Sequence, residues 1–437
     1  MANSTQQKNW YLEQFKVFEK SLNGQRSLPI HELRKEALKQ FAELEFPSLK
    51  NEDWKYTNIE PIINLNFESD TEAPALSSKD IEAFKIEDMA AQLVFVNGQY
   101  VPALSRIDSN IKGVAIKNLS AVLSENNERI TAHIRSQLKN NTDIFSALNS
   151  SFIMDGLYIE VPDHAEVTQP IYLLYLTSSG KKHILHQPYN FISVGRNARV
   201  SLVENYASLD NGRAFTNGLT AISQSQDSEI QYVKIQQENT NTYHIGTTDI
   251  TQERGCRITH RVITSGGALV RNMIRLNLNG EGIESTLDGV CITKGTQHVD
   301  NRTVIHHAKP NCATHELYKG ILDGKSTGVF NGKIIVHPDA QKTDAKQSNK
   351  NLLLSPDATM NTKPQLEIFA DDVKCTHGAT IGKLEDESLF YLRTRGIGKE
   401  QAKNMLTYAF AGEIVERIQH EATREYLDNL LLSLLEH

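Results

Sequence analysis

Cysteine is scarce in this sequence. Four cysteines, Cys256, Cys291, Cys312 and Cys375, occur in 437 residues, and no two are spaced as CxxC. That excludes a disulfide scaffold, a zinc ribbon and a thioredoxin-type redox pair. No stretch approaches the ~18 consecutive apolar residues of a membrane span. The first ten residues hold no apolar signal core, so a cytoplasmic location is the expectation. A basic excess is also missing: 46 Lys and Arg face 53 Asp and Glu, a net charge of −7. Nucleic-acid binding, which favours a basic face, is disfavoured. A true phosphate loop is absent too. Gly320-Ile321-Leu322-Asp323-Gly324-Lys325-Ser326 places three residues between its glycines where the nucleotide loop needs four, and strand-type sequence follows instead of a helix. ATP hydrolysis, if the function needs it, belongs to another chain.

What is present divides by texture. The length suits two or three units, or one elongated solenoid with flanking domains. Residues 1–151 read as mostly helical. Trp10, Gln14, Val17, Phe18 and Leu22 follow helical spacing up to Gly24. A second stripe runs from Ile30 through Leu33, Ala37, Leu38, Phe41 and Leu44, and Pro47 stops it. Residues 68–80 are polar and read as a linker. Leu93-Val94-Phe95-Val96 before Asn97-Gly98 reads as a strand entering a tight turn. Residues 118–149 return to helical spacing.

From 152 to 392 the helical stripes vanish. Short runs of Val, Ile, Thr and Tyr alternate with polar residues and are cut by Gly, Asn and Asp. A loose repeat recurs in which a turn residue precedes a small or apolar one: Asn197-Ala198, Asp227-Ser228, Gly255-Cys256, Gly282-Ile283, Asn311-Cys312, Ser326-Thr327, Asp339-Ala340, Asp357-Ala358 and Asp372-Val373. The spacing is roughly fourteen residues or twice that. A long β region with a soft repeat and no intervening helices predicts a mainly β fold, a solenoid of parallel coils, over a sandwich or propeller. Cys256 and Cys312 fall at equivalent positions and read as small apolar filler. Residues 393–437 are helical again. Ala402, Met405, Leu406, Ala409, Phe410, Ile414 and Ile418 form one stripe; Tyr426, Leu427, Leu430, Leu431, Leu434 and Leu435 form another.

The sharpest chemical signal is Cys375-Thr376-His377. On an extended strand, residues two apart face the same side, roughly 6–7 Å apart along the backbone. Thiolate and imidazole suit zinc, iron and iron–sulfur clusters. Two donors do not close a site that usually takes four. The pair is therefore half of a site that another surface completes, or Cys375 is core filler and His377 caps the turn before Gly378. His306, His307, Cys312 and His315 have metal-like composition, but Pro310 interrupts them and Cys312 fits the core repeat. Asp371 and Asp372 with Lys374 would serve a β-helix lyase or hydrolase acting on carbohydrate, or would act as edge gatekeepers. Trp54 with Tyr56, and Phe390 with Tyr391, read as packing aromatics. Arg393 and Arg395 read as a solvated hinge.

Lys50-x-Glu52-x-Trp54-Lys55-Tyr56-Thr57 resembles the N-terminal signature of the SufB/SufD family of iron–sulfur cluster assembly proteins. The later stretches Gly328-Val329-Phe330-Asn331-Gly332-Lys333-Ile334, Ala340-Gln341-Lys342-Thr343-Asp344-Ala345, Asn351-Leu352-Leu353-Leu354-Ser355 and Lys363-Pro364-Gln365-Leu366-Glu367-Ile368 are similar to that family in the same order. From Asp371 to Ile397 the sequence resembles the SufD branch; the sister branch typically carries Glu-Ala-Thr after this histidine.

The resemblance implies a right-handed parallel β-helix between helical regions. It implies a non-enzymatic scaffold subunit that pairs with a SufB-like sister and with a SufC-like ATPase, or with itself when isolated. It places Cys375 and His377 at the subunit interface, as donors to transient iron or a nascent iron–sulfur cluster. It places ATPase docking on the C-terminal helices, from Arg395 and Gly396 through Met405 and Phe410 to Ile418. A flavin is associated with the family's assembled complex only, and no residue here marks a site for it.

Overall fold

The computed structural model describes residues 2–22, 24–69, 74–108, 111, 113–140, 143–180 and 182–436. Its centre is a parallel β-solenoid of about eight turns, flanked by N-terminal and C-terminal helices. Successive strands alternate between two sheets. One sheet runs in order through Tyr189–Val194, Arg213–Gln224, Tyr243–Gln252, Leu269–Leu278, His298–His307 and Thr327–Val336 to the short strands Thr359–Thr362 and Gln365–Ile368. The other runs from Ala91–Val96 through Ile171–Thr177, Arg199–Ser208, Glu229–Gln237, Arg257–Thr264, Glu284–Thr293, Ala313–Leu322 and Asp344–Leu353 to Lys374–Gly382. The fourteen-residue unit seen in the sequence is one side of a coil; a full turn takes roughly 30 residues.

The repeat has a physical cause at one corner. Asn197, Asp227, Gly255, Gly282, Asn311 and Lys342 all adopt positive φ, between 52° and 69°. Each donates its backbone N–H to a carbonyl of the next coil: Asp227 to Arg254, Gly255 to Glu281, Asn311 to Gln341. Asn, Asp and Gly tolerate this left-handed conformation best, which explains their recurrence. The residue that follows turns into the interior. Ala198, Ser228, Cys256, Ile283 and Cys312 are buried there, so both cysteines are filler. In one coil the corner is Lys342-Thr343 instead of Asp339-Ala340, although Ala340 is buried as well.

Inward positions of both sheets fill the lumen with Leu202, Ile222, Ile250, Ile274, Leu287, Ile305, Phe330 and Ile334. The two outer faces are covered by different ends of the chain. The helices Ala2–Ser21, Pro29–Glu43 and Ile144–Ser151 bury Phe15, Phe41 and Phe145 against Phe215, Ile245 and Leu269. The helices Lys399–Val415 and Glu421–Glu436 bury Ala411, Ile414, Leu427 and Leu431 against Val203, Ile263, Val290 and Ile321.

The first helix buries a face shifted from the stripe expected: Phe18 and Leu22 are buried as expected, but Tyr11 and Phe15 join them. Val17 is exposed, because the aromatic side chains bury more area than the Trp10–Val17 face. In the penultimate helix Ala402, Ala411, Ile414 and Val415 are buried while Met405 is 45% exposed. Asn97 and Gly98 form the two-residue turn expected, joining Ala91–Val96 to Gln99–Tyr100. Of the stretch read as a linker, residues 70–73 lie outside the described residues. Glu68–Ser69 is a short strand paired with His183–His186, and Ser78–Phe84 is a 3-10 helix.

Candidate functional site

Lys374–Gly382 is the last strand of its sheet and pairs only with Asp344–Leu353 among the described residues. Cys375 lies in register with Ala345, and His377 with Gln347. Ala345 and Gln347 are both buried inward positions, so Cys375 and His377 face the lumen. No coil lies above them to cover them. Cys375 is half-buried and packs against the lumen core; His377 is exposed. The structure thus brings the two residues together on one side of a bare edge strand.

Burial pushes the Cys375 thiol up, and the neighbouring Asp344 adds to the shift. At neutral pH the group is a thiol, and it must lose its proton before it can bind a metal. Two donors remain too few, and no group of three or more metal-binding side chains occurs among the described residues.

The lumen beneath the pair is polar. Gln347 Nε2 donates to Glu316 Oε2 at 2.5 Å. Burial holds the Glu316 carboxyl up at about 7. Sequence reading missed both residues. A polar side chain at an inward position of a solenoid strand was the available signal, and it becomes visible only once register is known.

The other histidine-rich motif is dispersed. His307 points inward and hydrogen-bonds Thr314 at 3.0 Å, whereas His306 stacks on His337. Cys312 sits at a buried corner and His315 is exposed on the opposite sheet. Gly320 lies within a strand and Gly324 in the turn after it, with no helix following. Asp371 and Asp372 are exposed, and Lys342 donates its N–H to the Asp372 carbonyl, extending the corner ladder.

The signature loop at residues 50–57 lies on the outer face of the solenoid. Trp54 packs on Phe145, and the Arg271 guanidinium sits 3.7 Å over its ring. Arg271 pairs with buried Asp300, which also accepts from Thr57 Oγ1 at 2.7 Å. Arg302 bonds Asp53, and Lys363 pairs with Glu52. Trp54 is a packing aromatic as expected.

Phe390 and Tyr391 are not. They are 67% and 56% exposed on the helix Asp386–Thr394, which buries no residue. Arg395 stacks over Tyr391 at 5.3 Å, and Gly396 ends that helix at φ 86°. Phe410 is held against the solenoid, with Lys319 Nζ 4.5 Å over its ring.

The sequence matches known protein families along nearly its whole length. The family model described as SUF system FeS cluster assembly, SufBD core domain, covers residues 175–410, and that of the SufBD protein N-terminal region covers residues 5–173. The chain belongs to the SufBD family. It is 32% identical over 390 residues to the iron–sulfur cluster assembly protein SufD of Escherichia coli, covering 89% of each chain. It is 31% identical over 387 residues to a SufBD family protein of Synechocystis, covering 86% of this chain and 84% of the relative. The SufD of Bacillus subtilis is 24% identical over 416 residues, 91% of this chain and 92% of its own. As a SufBD protein the chain is an iron–sulfur cluster assembly protein. Among its described residues no helix is long and apolar enough to cross a membrane.

Proposed function

We propose that the chain is a non-catalytic scaffold subunit of the SUF system in the cytoplasm. It pairs with a SufB-like sister through the free edge of Lys374–Gly382, or with a second copy of itself when isolated. Its C-terminal helices dock a SufC-like ATPase, whose ATP-driven movement opens the subunit interface. Cys375 and His377 then meet iron and sulfide as substrates of assembly, with further donors supplied by the sister subunit. Two donors per subunit leave the nascent cluster labile, which suits transfer to an acceptor.

The observation that carries this reading is the uncovered last coil: the one cysteine outside the buried set and an exposed histidine share one side of a strand paired along one edge only among the described residues. The exposed aromatics Phe390 and Tyr391, close to Arg395 and Gly396, support docking at the C-terminal helices.

The test is anaerobic reconstitution with and without SufB-like and SufC-like partners, read at the sulfur-to-iron charge-transfer bands. Cys375→Ala and His377→Ala are each expected to abolish the bands while co-purification of the partners persists. Normal maturation of iron–sulfur enzymes in cells carrying either variant would overturn the role of that residue. Loss of residues 399–437 is expected to abolish co-purification of the ATPase.

A further inference from the structure

A column of polar side chains descends from His377 into the lumen. Glu316, Gln347 and His377 occupy equivalent positions on three successive strands of one sheet, and Gln347 lies between the other two. Glu316 is 3% and Gln347 1% exposed. The Gln347 amide has one settled half: its Nε2 donates to Glu316. Its other half is unsettled, because Oε1 is buried with no hydrogen-bond partner. A buried carbonyl oxygen without a donor is costly.

The facing sheet makes room for this side chain. A Cβ on Gly332 would come within 2.1 Å of Gln347 Nε2, so the amide fills a space that only glycine leaves. With Glu316 ionised, as most of it is at pH 8, turning the amide over would set its oxygen against the carboxylate. The position in register above Gln347 is His377, and an imidazole carries an N–H that can satisfy Oε1. A histidine that binds metal through one ring nitrogen donates the other N–H to a carbonyl or carboxylate, which fixes tautomer and ring orientation.

We propose that Gln347, anchored by Glu316, is the positioning residue for His377. It accepts the N–H of one ring nitrogen and aims the other out of the open end of the solenoid. This rests on the reading of His377 as a donor to iron or cluster, but its geometry can be measured without either.

The experiment uses the full chain, free of metal and partners, labelled with nitrogen-15 at histidine. Two-bond nitrogen–proton correlations at pH 8 report each tautomer, and His377→Gln assigns the signal. The expected result is one locked tautomer for His377 in the parent protein. A mixed tautomer is expected in Gln347→Leu. Glu316→Gln serves as the second variant: it weakens the anchor while leaving Gln347 in place, and partial loss of the lock is expected. In the complex with a SufB-like subunit, Gln347→Leu is expected to weaken cobalt(II) binding about 10–100-fold. A mixed tautomer in the parent, or a lock that survives Gln347→Leu, overturns the proposal. A lock that depends on Gln347 in a protein whose His377→Ala variant still matures clusters would keep the positioning and discard the donor role. A cluster that needs His377 without any lock would do the reverse.

Discussion

The two ends of the solenoid are built differently. At the first, antiparallel pairs close the ladder: Ala91–Val96 carries Gln99–Tyr100 and Arg106–Ile107, and Leu157–Val161 carries Ala115–Asn118. A parallel stack that meets antiparallel ribbons offers no matching edge to another coil. At the last end the stack simply stops. Lys374 donates its N–H to Thr343, and amides alternate in direction along a parallel strand. The amides of Cys375, His377, Ala379 and Ile381 therefore face the free side. Exposed Phe369 and Ile381 lie at the same end. Solenoids need capped ends to stay soluble, and among the described residues no further coil caps this one.

The largest expected effect comes from blocking the bare edge. Ala379→Pro removes one free amide without touching the ladder to Asp344–Leu353, and proline is tolerated on an edge. It is expected to weaken subunit pairing about tenfold or more in analytical ultracentrifugation while circular dichroism stays unchanged. Unaltered pairing would mean that the interface lies elsewhere.

Matched truncations sharpen the contrast next. Leu173→Ala in the sealed end leaves a cavity in a closed core and is expected to cost about 2–5 kcal/mol in urea unfolding. Ile381→Ala at the bare end is expected to change stability by about 0.5 kcal/mol or less in the isolated chain. Equal costs would show that the bare end is already packed.

The last contrast concerns two buried imidazoles. Burial pushes His186 down to about 4 and His260 to about 3, from an ordinary value of 6.5. The unfolded rings take up protons near 6.5 while the folded rings stay neutral. The native state therefore loses stability as pH falls below about 6.5, by up to about 1.4 kcal/mol per pH unit for each ring. His260→Phe keeps the ring shape beside Tyr232 and is expected to flatten this loss between pH 6 and 4. A midpoint in urea that falls as steeply in the variant would place the proton uptake elsewhere.

Much of this was legible in the residues. Alternating Val, Ile and Thr between Asn, Asp and Gly corners carries the solenoid, because left-handed corners have few acceptable residues. The helical stripes are readable as helices, but the buried face of the first differs in part: Tyr11 and Phe15 join Phe18 and Leu22, and Val17 drops out, only when packed on a particular surface. Spacing alone marks Cys375 and His377 as a candidate pair, and only the family resemblance gives that pair a role. Gln347 and Glu316 were not, because their tie to His377 is a register between strands about 30 residues apart. Nothing in the sequence marks Phe390 and Tyr391 as bare, because large aromatics usually pack; only the structure shows them exposed.

The signature loop fixes one further quantity. Each coil lengthens the stack by about 4.8 Å. Glu52, Asp53, Trp54 and Thr57 meet Lys363, Arg302, Arg271 and Asp300, residues spread over the later coils. A chain with one coil more or fewer between this anchorage and the first strand would present the wrong residues to the loop. The loop thus works as a ruler, fixing the height along the stack at which the N-terminal region meets the coils below the bare rim.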